Sequence, residues 1–198
     1  MTGGGAPCGV TVISMPEPRV DREEILRYAG AGDGGDVREK LDSVLDALLP
    51  RLVYRVCFAE TPVDADGPRV GLGFSSVFSA ELGRRLAGCD GAVIFAATVG
   101  FEPDILARAE RFDPLRALLV HGVGAERVES LCDDFCRSLG DGYAPRFSPG
   151  YGDLPLSFQR EIFDFLNPQK YIGVVLSEKM IMSPSKSVTA IVGRRRNG

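Results

Sequence analysis

Apolar residues recur at helical spacing in several separate stretches of this chain. Asp21-Arg22-Glu23-Glu24 has the pattern of a capping box, with Asp21 as N-cap and Glu24 three residues on, before Ile25, Leu26 and Tyr28. Gly30 ends that helix. After the flexible turn Ala31–Gly35, Asp36 is expected to cap a second helix through Val37, Leu41, Val44, Leu45, Leu48 and Leu49, stopped by Pro50. Ser79 to Leu86 reads as a short helix, and Pro103 with Asp104 starts another after the turn from Thr98. Asp113 and Pro114 open a long helix to about Ser138, whose Gly122 and Gly124 each cost about 1 kcal/mol against alanine and so point to close packing on a neighbouring backbone. Pro155 begins a last helix over Phe158, Ile162, Phe163 and Leu166, ended by Asn167-Pro168.

Strand patterns lie between these helices. Val10–Ile13 and Leu52–Phe58 read as strands, Asp64–Pro68 as a turn, and Val70–Phe74 as the second strand of a hairpin. Gly91–Ala97 is a continuous apolar run suited to the middle of a sheet covered on both faces. Tyr171–Leu176 and Ser187–Val192 complete the set, with Ser183-Pro184-Ser185 as a turn. The pattern predicts an α+β fold, a single domain over residues 10–193 with a curved, mostly antiparallel sheet flanked by helices. Residues 1–9 form a Gly-rich flexible N-terminus and 194–198 a basic tail.

Composition narrows the function classes. At 198 residues the chain fits one domain, and 44% hydrophobic with 25% charged residues is ordinary for a globular protein with a sizeable core. No apolar run approaches the ~20 residues of a membrane span, and no basic segment leads into an apolar stretch at the N-terminus, so a cytoplasmic protein without a membrane partner is expected. The net charge of −4 argues against a nucleic-acid partner. Five cysteines without C-x-x-C spacing read as reduced core residues; Cys132 and Cys136, four apart on the long helix, are the only pair placed for a metal, and a single histidine gives them little support. That histidine, His121, is either a packing residue or an acid–base group.

The segment Arg146-Phe147-Ser148-Pro149-Gly150-Tyr151 carries the clearest candidate chemistry. Prolines and glycines fix a turned backbone that presents a guanidinium beside a phenol, a frame able to clamp an anion or equally to be a surface turn. Together with Ser177-Glu178-Lys179-Met180-Ile181-Met182-Ser183-Pro184 and the Thr98–Asp104 turn, this R-x-x-x-G-Y block resembles the activation domain of cobalamin-dependent methionine synthase, in its short free-standing form. The resemblance spans roughly residues 85 to 193, about half the chain.

The resemblance implies a site for S-adenosylmethionine beside a cobalamin held by a partner, a methionine synthase or other corrinoid protein, with flavodoxin or ferredoxin as electron donor. In the family reaction, oxidised cobalamin is reduced by one electron and trapped by methyl transfer from S-adenosylmethionine. The chain would be an accessory methyltransferase subunit, inactive alone, and no catalytic side chain is implied. Arg146 would pair with the methionyl carboxylate, Ser148 and Gly150 would offer backbone groups, and Tyr151 would close one wall. Glu129 aligns with an acidic contact or is a solvated helix residue. Lys186 would touch the corrin or be solvated. The sequence departs from the family in two places: an acidic contact from an N-terminal extension has no match, and a late tyrosine is replaced near Val192. The alternative is a corrinoid-protein interaction module that has lost S-adenosylmethionine.

Overall fold

The computed structural model describes residues 9–196. Its centre is the apolar run: Cys89–Thr98 forms β6, flanked by β2 (Arg55–Pro62) on one side and β9 (Ser187–Arg195) on the other. With β1 (Thr11–Ser14) outside β2, they make an antiparallel sheet of order β1-β2-β6-β9. Successive side chains of β6 leave opposite faces of the sheet, as strand geometry requires. Ala92, Ile94 and Ala96 enter one core, and Val93, Phe95 and Ala97 enter another. Both faces must be covered, which is why no polar alternation shows in this strand.

On one face lies α5 (Pro114–Leu139), which packs Val128, Leu131, Cys132 and Phe135 on the sheet. The back of α5 is covered by α1 (Arg22–Ala29) and α2 (Gly35–Leu48) through Ile25, Leu41, Leu48, Leu119 and Val123. Helix α4 (Glu102–Ala109) also packs beside α5. The other face holds α3 (Ala80–Leu86), α6 (Gln159–Leu166) and α7 (Pro168–Ile172). Also beside it is a small sheet of β3 (Asp64–Asp66), β4 (Arg69–Gly71) and β5 (Ser76–Phe78). A two-stranded ribbon, β7 (Val175–Leu176) with β8 (Met182–Ser183), precedes β9. The result is the single α+β domain with an antiparallel sheet flanked by helices.

Cap chemistry explains most boundaries. Asp21 accepts from Glu24 N at 3.0 Å, and Gly30 closes α1 in the left-handed region at φ 60°. Asp113 accepts from Arg116 N and caps α5. The second helix differs from expectation: Gly34 is its N-cap and Asp36 lies inside the first turn, where a carboxylate still favours the helix dipole. Asp64–Asp66 is a strand and not a turn; it pairs with Arg69–Gly71, so the hairpin belongs to the small sheet. Tyr171 is helical because Asn167, accepting from Lys170 N, caps a new helix that Pro168 begins. Beyond Val192, β9 continues to Arg195, and Arg194 reaches Glu60 at 2.7 Å and Asp90 at 3.2 Å, so the first two arginines of the expected basic tail belong to the sheet. The expected flexible N-terminus lies, except for Gly9, outside the described residues, as do Cys8, Asn197 and Gly198.

Gly122 is where α1 crosses α5. A Cβ there would lie 2.6 Å from Ile25 O, a backbone atom with no freedom to withdraw. Gly122→Ala should therefore cost about 1–3 kcal/mol by overpacking, read as a lower urea midpoint. An unchanged midpoint would mean that the helices do not meet so closely. Gly124 lies instead under the Lys186 stem and Pro103.

Candidate functional site

The Thr98–Asp104 turn and the segment that carries Arg146, far apart in the sequence, meet at β9. Thr98 Oγ1 lies 2.9 Å from Ser187 Oγ, Val99 N donates to Lys186 O, and Asp104 accepts from Ser185 N at 2.8 Å and from its hydroxyl. The turn after β6 thus fixes the entry of β9. Segment 143–147 runs along the outer edge of β9: Phe147 exchanges both backbone hydrogen bonds with Ile191 at 2.9 Å, and Ala144 N donates to Gly193 O. This bridging puts Arg146 on the α5 side and the Phe147 ring in the opposite core.

Between this segment, the start of β9, α3 and α6 lies a cavity of ≈ 460 Å³, lined by Arg85, Glu129, Arg146, Phe147, Ser148, Pro149, Tyr151, Gln159, Met182, Ser187, Val188 and Thr189. That is a size suited to a small ligand. Arg146, Ser148, Tyr151 and Glu129 stand together on its wall; Gly150 does not line it. Gly150 adopts φ 92°, and its N–H donates to Leu154 O, so its role is to turn the loop and its amide is already engaged. The Ser148 carbonyl likewise accepts from Tyr151 N at 3.3 Å. Tyr151 is 66% exposed and forms the rim.

Arg146 is not a free fork. Its Nη2 donates to Glu129 Oε2 at 2.7 Å and to Asp133 Oδ1 at 2.8 Å, both acids rising from α5. An anion in the cavity would take hydrogens from Nε or Nη1, or displace Asp133, which is 59% exposed. Glu129, 35% exposed, is thereby a paired carboxylate beside the cavity. On the far wall Arg85 lies over the Phe147 ring at 4.6 Å and pairs with Glu81 at 3.2 Å. The loop is tied to that helix by Asp153, which accepts from Ala80 N at 2.7 Å and from the Ser79 hydroxyl. The Ser79 hydroxyl, with the N–H groups at the start of α3, holds the Asp153 carboxyl below its usual range.

Sequence reasoning missed Gln159 and Thr189. Both side chains are buried, 6% and 1% exposed, and both border the cavity with an oxygen that has no hydrogen-bond partner. A buried polar atom left unpaired costs about 1–3 kcal/mol, so such atoms mark places where a partner is expected. The signal was present for Gln159: in the stripe 159, 162, 163, 166 it is the polar member on an apolar helix face. For Thr189 strand alternation alone gave no clue.

A second, larger cavity of ≈ 660 Å³ lies where residues 18–23 cross α5, near Ser130, Asp133, Asp134 and Arg137. Its walls are polar, and several of its charges are paired, Arg137 with Asp134, Asp133 with Arg146 and Arg22 with Asp42. His121, Cys132, Cys136, Lys186 and Val192 do not line the first cavity. His121 is at the surface of α5, its pKa lowered by partial desolvation and by Lys186 nearby. The Cys132 thiol is pushed up by burial, and Cys136 is pushed up to about 11 by the same cause. Both therefore stay protonated at neutral pH. Val192, where the resemblance lacks its tyrosine, is buried in the core under α5. Met182 lines the cavity, whereas Ile181 is 63% exposed. Among the described residues no helix is long and apolar enough to cross a membrane.

No protein-family model matches the chain, and no curated protein matches it. Among solved structures, the crystal structure of the MetH reactivation domain bound to AdoHcy superposes with a TM-score of 0.67 over 96% of this chain and 79% of that one, at 16% identity. At that identity the likeness is one of fold.

Proposed function

We propose that this chain binds S-adenosylmethionine, and its product S-adenosylhomocysteine, in the cavity beside β9, and acts in the reactivation of a cobalamin-dependent methionine synthase. The observation that carries the reading is the pair of unpartnered buried oxygens on Gln159 and Thr189, in the wall of a cavity whose other side holds the Arg146–Glu129 pair. A ligand that is charged at one end and neutral but polar at the other fits that arrangement. The shared fold with a domain that binds AdoHcy supports it.

In this reading Arg146 meets the amino-acid carboxylate through Nε or Nη1, and Glu129 meets the ammonium or the sulfonium. Ser148 and Gly150 shape the loop, and the exposed Tyr151 closes over the ligand. Cobalamin would be held by the partner and, reduced by flavodoxin or ferredoxin, would supply the nucleophile for the methyl group, with S-adenosylhomocysteine left in this chain's cavity. What this chain supplies is binding, orientation and exclusion of water, which requires no catalytic side chain of its own.

The commitment of Arg146 Nη2 to two carboxylates, with Val192 buried in the core, favours a second reading: a corrinoid-protein interaction module without the ligand. A reconstitution assay separates the two. Cobalamin-loaded methionine synthase lacking such a domain is mixed in the cob(II)alamin form with S-adenosylmethionine, reduced flavodoxin and this chain. Conversion to methylcobalamin, followed by absorbance and dependent on the chain, is the expected result. Co-migration with the synthase without conversion would establish the interaction module instead.

A further inference from the structure

Where segment 143–147 turns away, the outer edge of β9 loses its neighbour. Ile191 turns both backbone groups outward to Phe147, Gly193 O outward to Ala144, and Arg195 N outward to Gly142. In an antiparallel ladder alternate residues face the same side, so Thr189, two residues before Ile191, also presents its N–H and C=O outward. At Thr189 that side is the cavity. Its hydroxyl, 1% exposed and without a partner, lies on the face of β9 that Ile191 shares with α6, and Gln159 opens α6 with an unpartnered Oε1. One strand residue and one helix residue therefore bring a donor N–H and several acceptor oxygens to one wall, all of them neutral. The charged pair, Arg146 with Glu129, stands on the α5 side. Arg85, the cation on this side, is engaged by Glu81 and by the Phe147 ring.

We propose that Thr189 and Gln159 are the specificity-determining residues of the cavity, reading the amino-pyrimidine edge of adenine; this rests on the S-adenosyl reading above. The exocyclic amine donates to Gln159 Oε1 and to the Thr189 carbonyl, and the ring nitrogen beside it accepts from Thr189 N–H. Neutral acceptors suit an uncharged amine, whereas a carboxylate or ammonium is drawn to the charged side. Hypoxanthine reverses the pattern, placing a carbonyl against two acceptors and an N–H against a donor. A site whose buried groups are left unpaired or opposed discriminates strongly.

The test is calorimetric titration with S-adenosylhomocysteine and with S-inosylhomocysteine. The wild-type chain should bind the adenosyl ligand at least about thirty-fold more tightly. Gln159→Leu should weaken adenosyl binding about ten-fold and narrow the ratio several-fold, the Thr189 backbone pair keeping the remainder, while raising the melting temperature, because an unpartnered buried oxygen is removed. Thr189→Val, close to isosteric, should also melt higher because an unpartnered buried hydroxyl is removed, and should keep adenosyl binding and the ratio within about three-fold of wild type, because the backbone N–H and C=O that read adenine are retained. A wild-type chain that binds both ligands equally overturns the proposal without any variant, and so does Gln159→Leu with an unchanged ratio. Absence of adenosyl binding to the wild type removes the S-adenosyl reading itself, and this proposal with it.

Discussion

Arg127→Met should destabilise the domain by about 3–5 kcal/mol, a large share of the ~5–15 kcal/mol that holds a domain of this kind together. Arg127 is fully buried, and its Nε and Nη2 form a fork of two 2.6 Å bonds on Glu126, itself 1% exposed. Nη1 donates to Pro18 O, and Nη2 also donates to Arg19 O, both at 2.6 Å. Glu126 Oε1 in turn accepts from Asp21 N and the Ser130 hydroxyl. This pair fastens residues 18–21 across α5 and sets the start of α1. Methionine would fill the space but leave Glu126 as a buried charge without a counter-ion, and two carbonyls without donors. Adding Glu126→Gln should recover more than half of the loss, since the amide oxygen still accepts from Asp21 N and Ser130. Urea unfolding measures both variants. A loss of less than about 1 kcal/mol in Arg127→Met would show that the pair is not buried as described.

Arg146→Ala should weaken S-adenosylhomocysteine binding by about 2–4 kcal/mol, roughly thirty- to several-hundred-fold in Kd. Part of that loss is a direct contact, and part is the release of Glu129 and Asp133 to repel one another and any incoming carboxylate. The two parts separate with Asp133→Asn, which removes only the outer, more exposed partner of Arg146. It should leave affinity unchanged or improve it, because one competitor for Nη2 is weakened. Binding of the adenosyl ligand to Arg146→Ala at wild-type strength would take Arg146 out of the site.

The chain's own pattern revealed the fold where one physical effect dominated. The apolar run of β6, the Asp21 N-cap and the Asp113-Pro114 start of α5 each have one reading, and each stands in the structure; the capping box itself does not close, because Glu24 pairs with Arg27 and Asp21 N donates to Glu126. Expectation failed where tertiary pairing decided. Asp64–Asp66 has turn composition yet forms a strand because Arg69–Gly71 lies opposite, and Tyr171 falls in a helix that depends on a local cap at Asn167. At the site, R-x-x-x-G-Y located the loop, but not that Arg146 would be held by two acids one turn apart in α5, 17 and 13 residues earlier in the chain. Arg127 carried a legible warning. It sits in the stripe Leu119, Val123, Arg127, Leu131, where a charge on an apolar face announces a buried ion pair. Thr189 gave none, because whether a strand edge is open depends on where a distant loop leaves it.

The most direct test of the central claim is calorimetric titration of the purified chain, without any corrinoid partner, with S-adenosylhomocysteine and S-adenosylmethionine. One-site binding that is abolished or sharply weakened in Arg146→Ala is the predicted result. No heat and no shift in melting temperature at millimolar concentrations of either ligand would contradict it, and the cavity beside β9 would then belong to a different ligand.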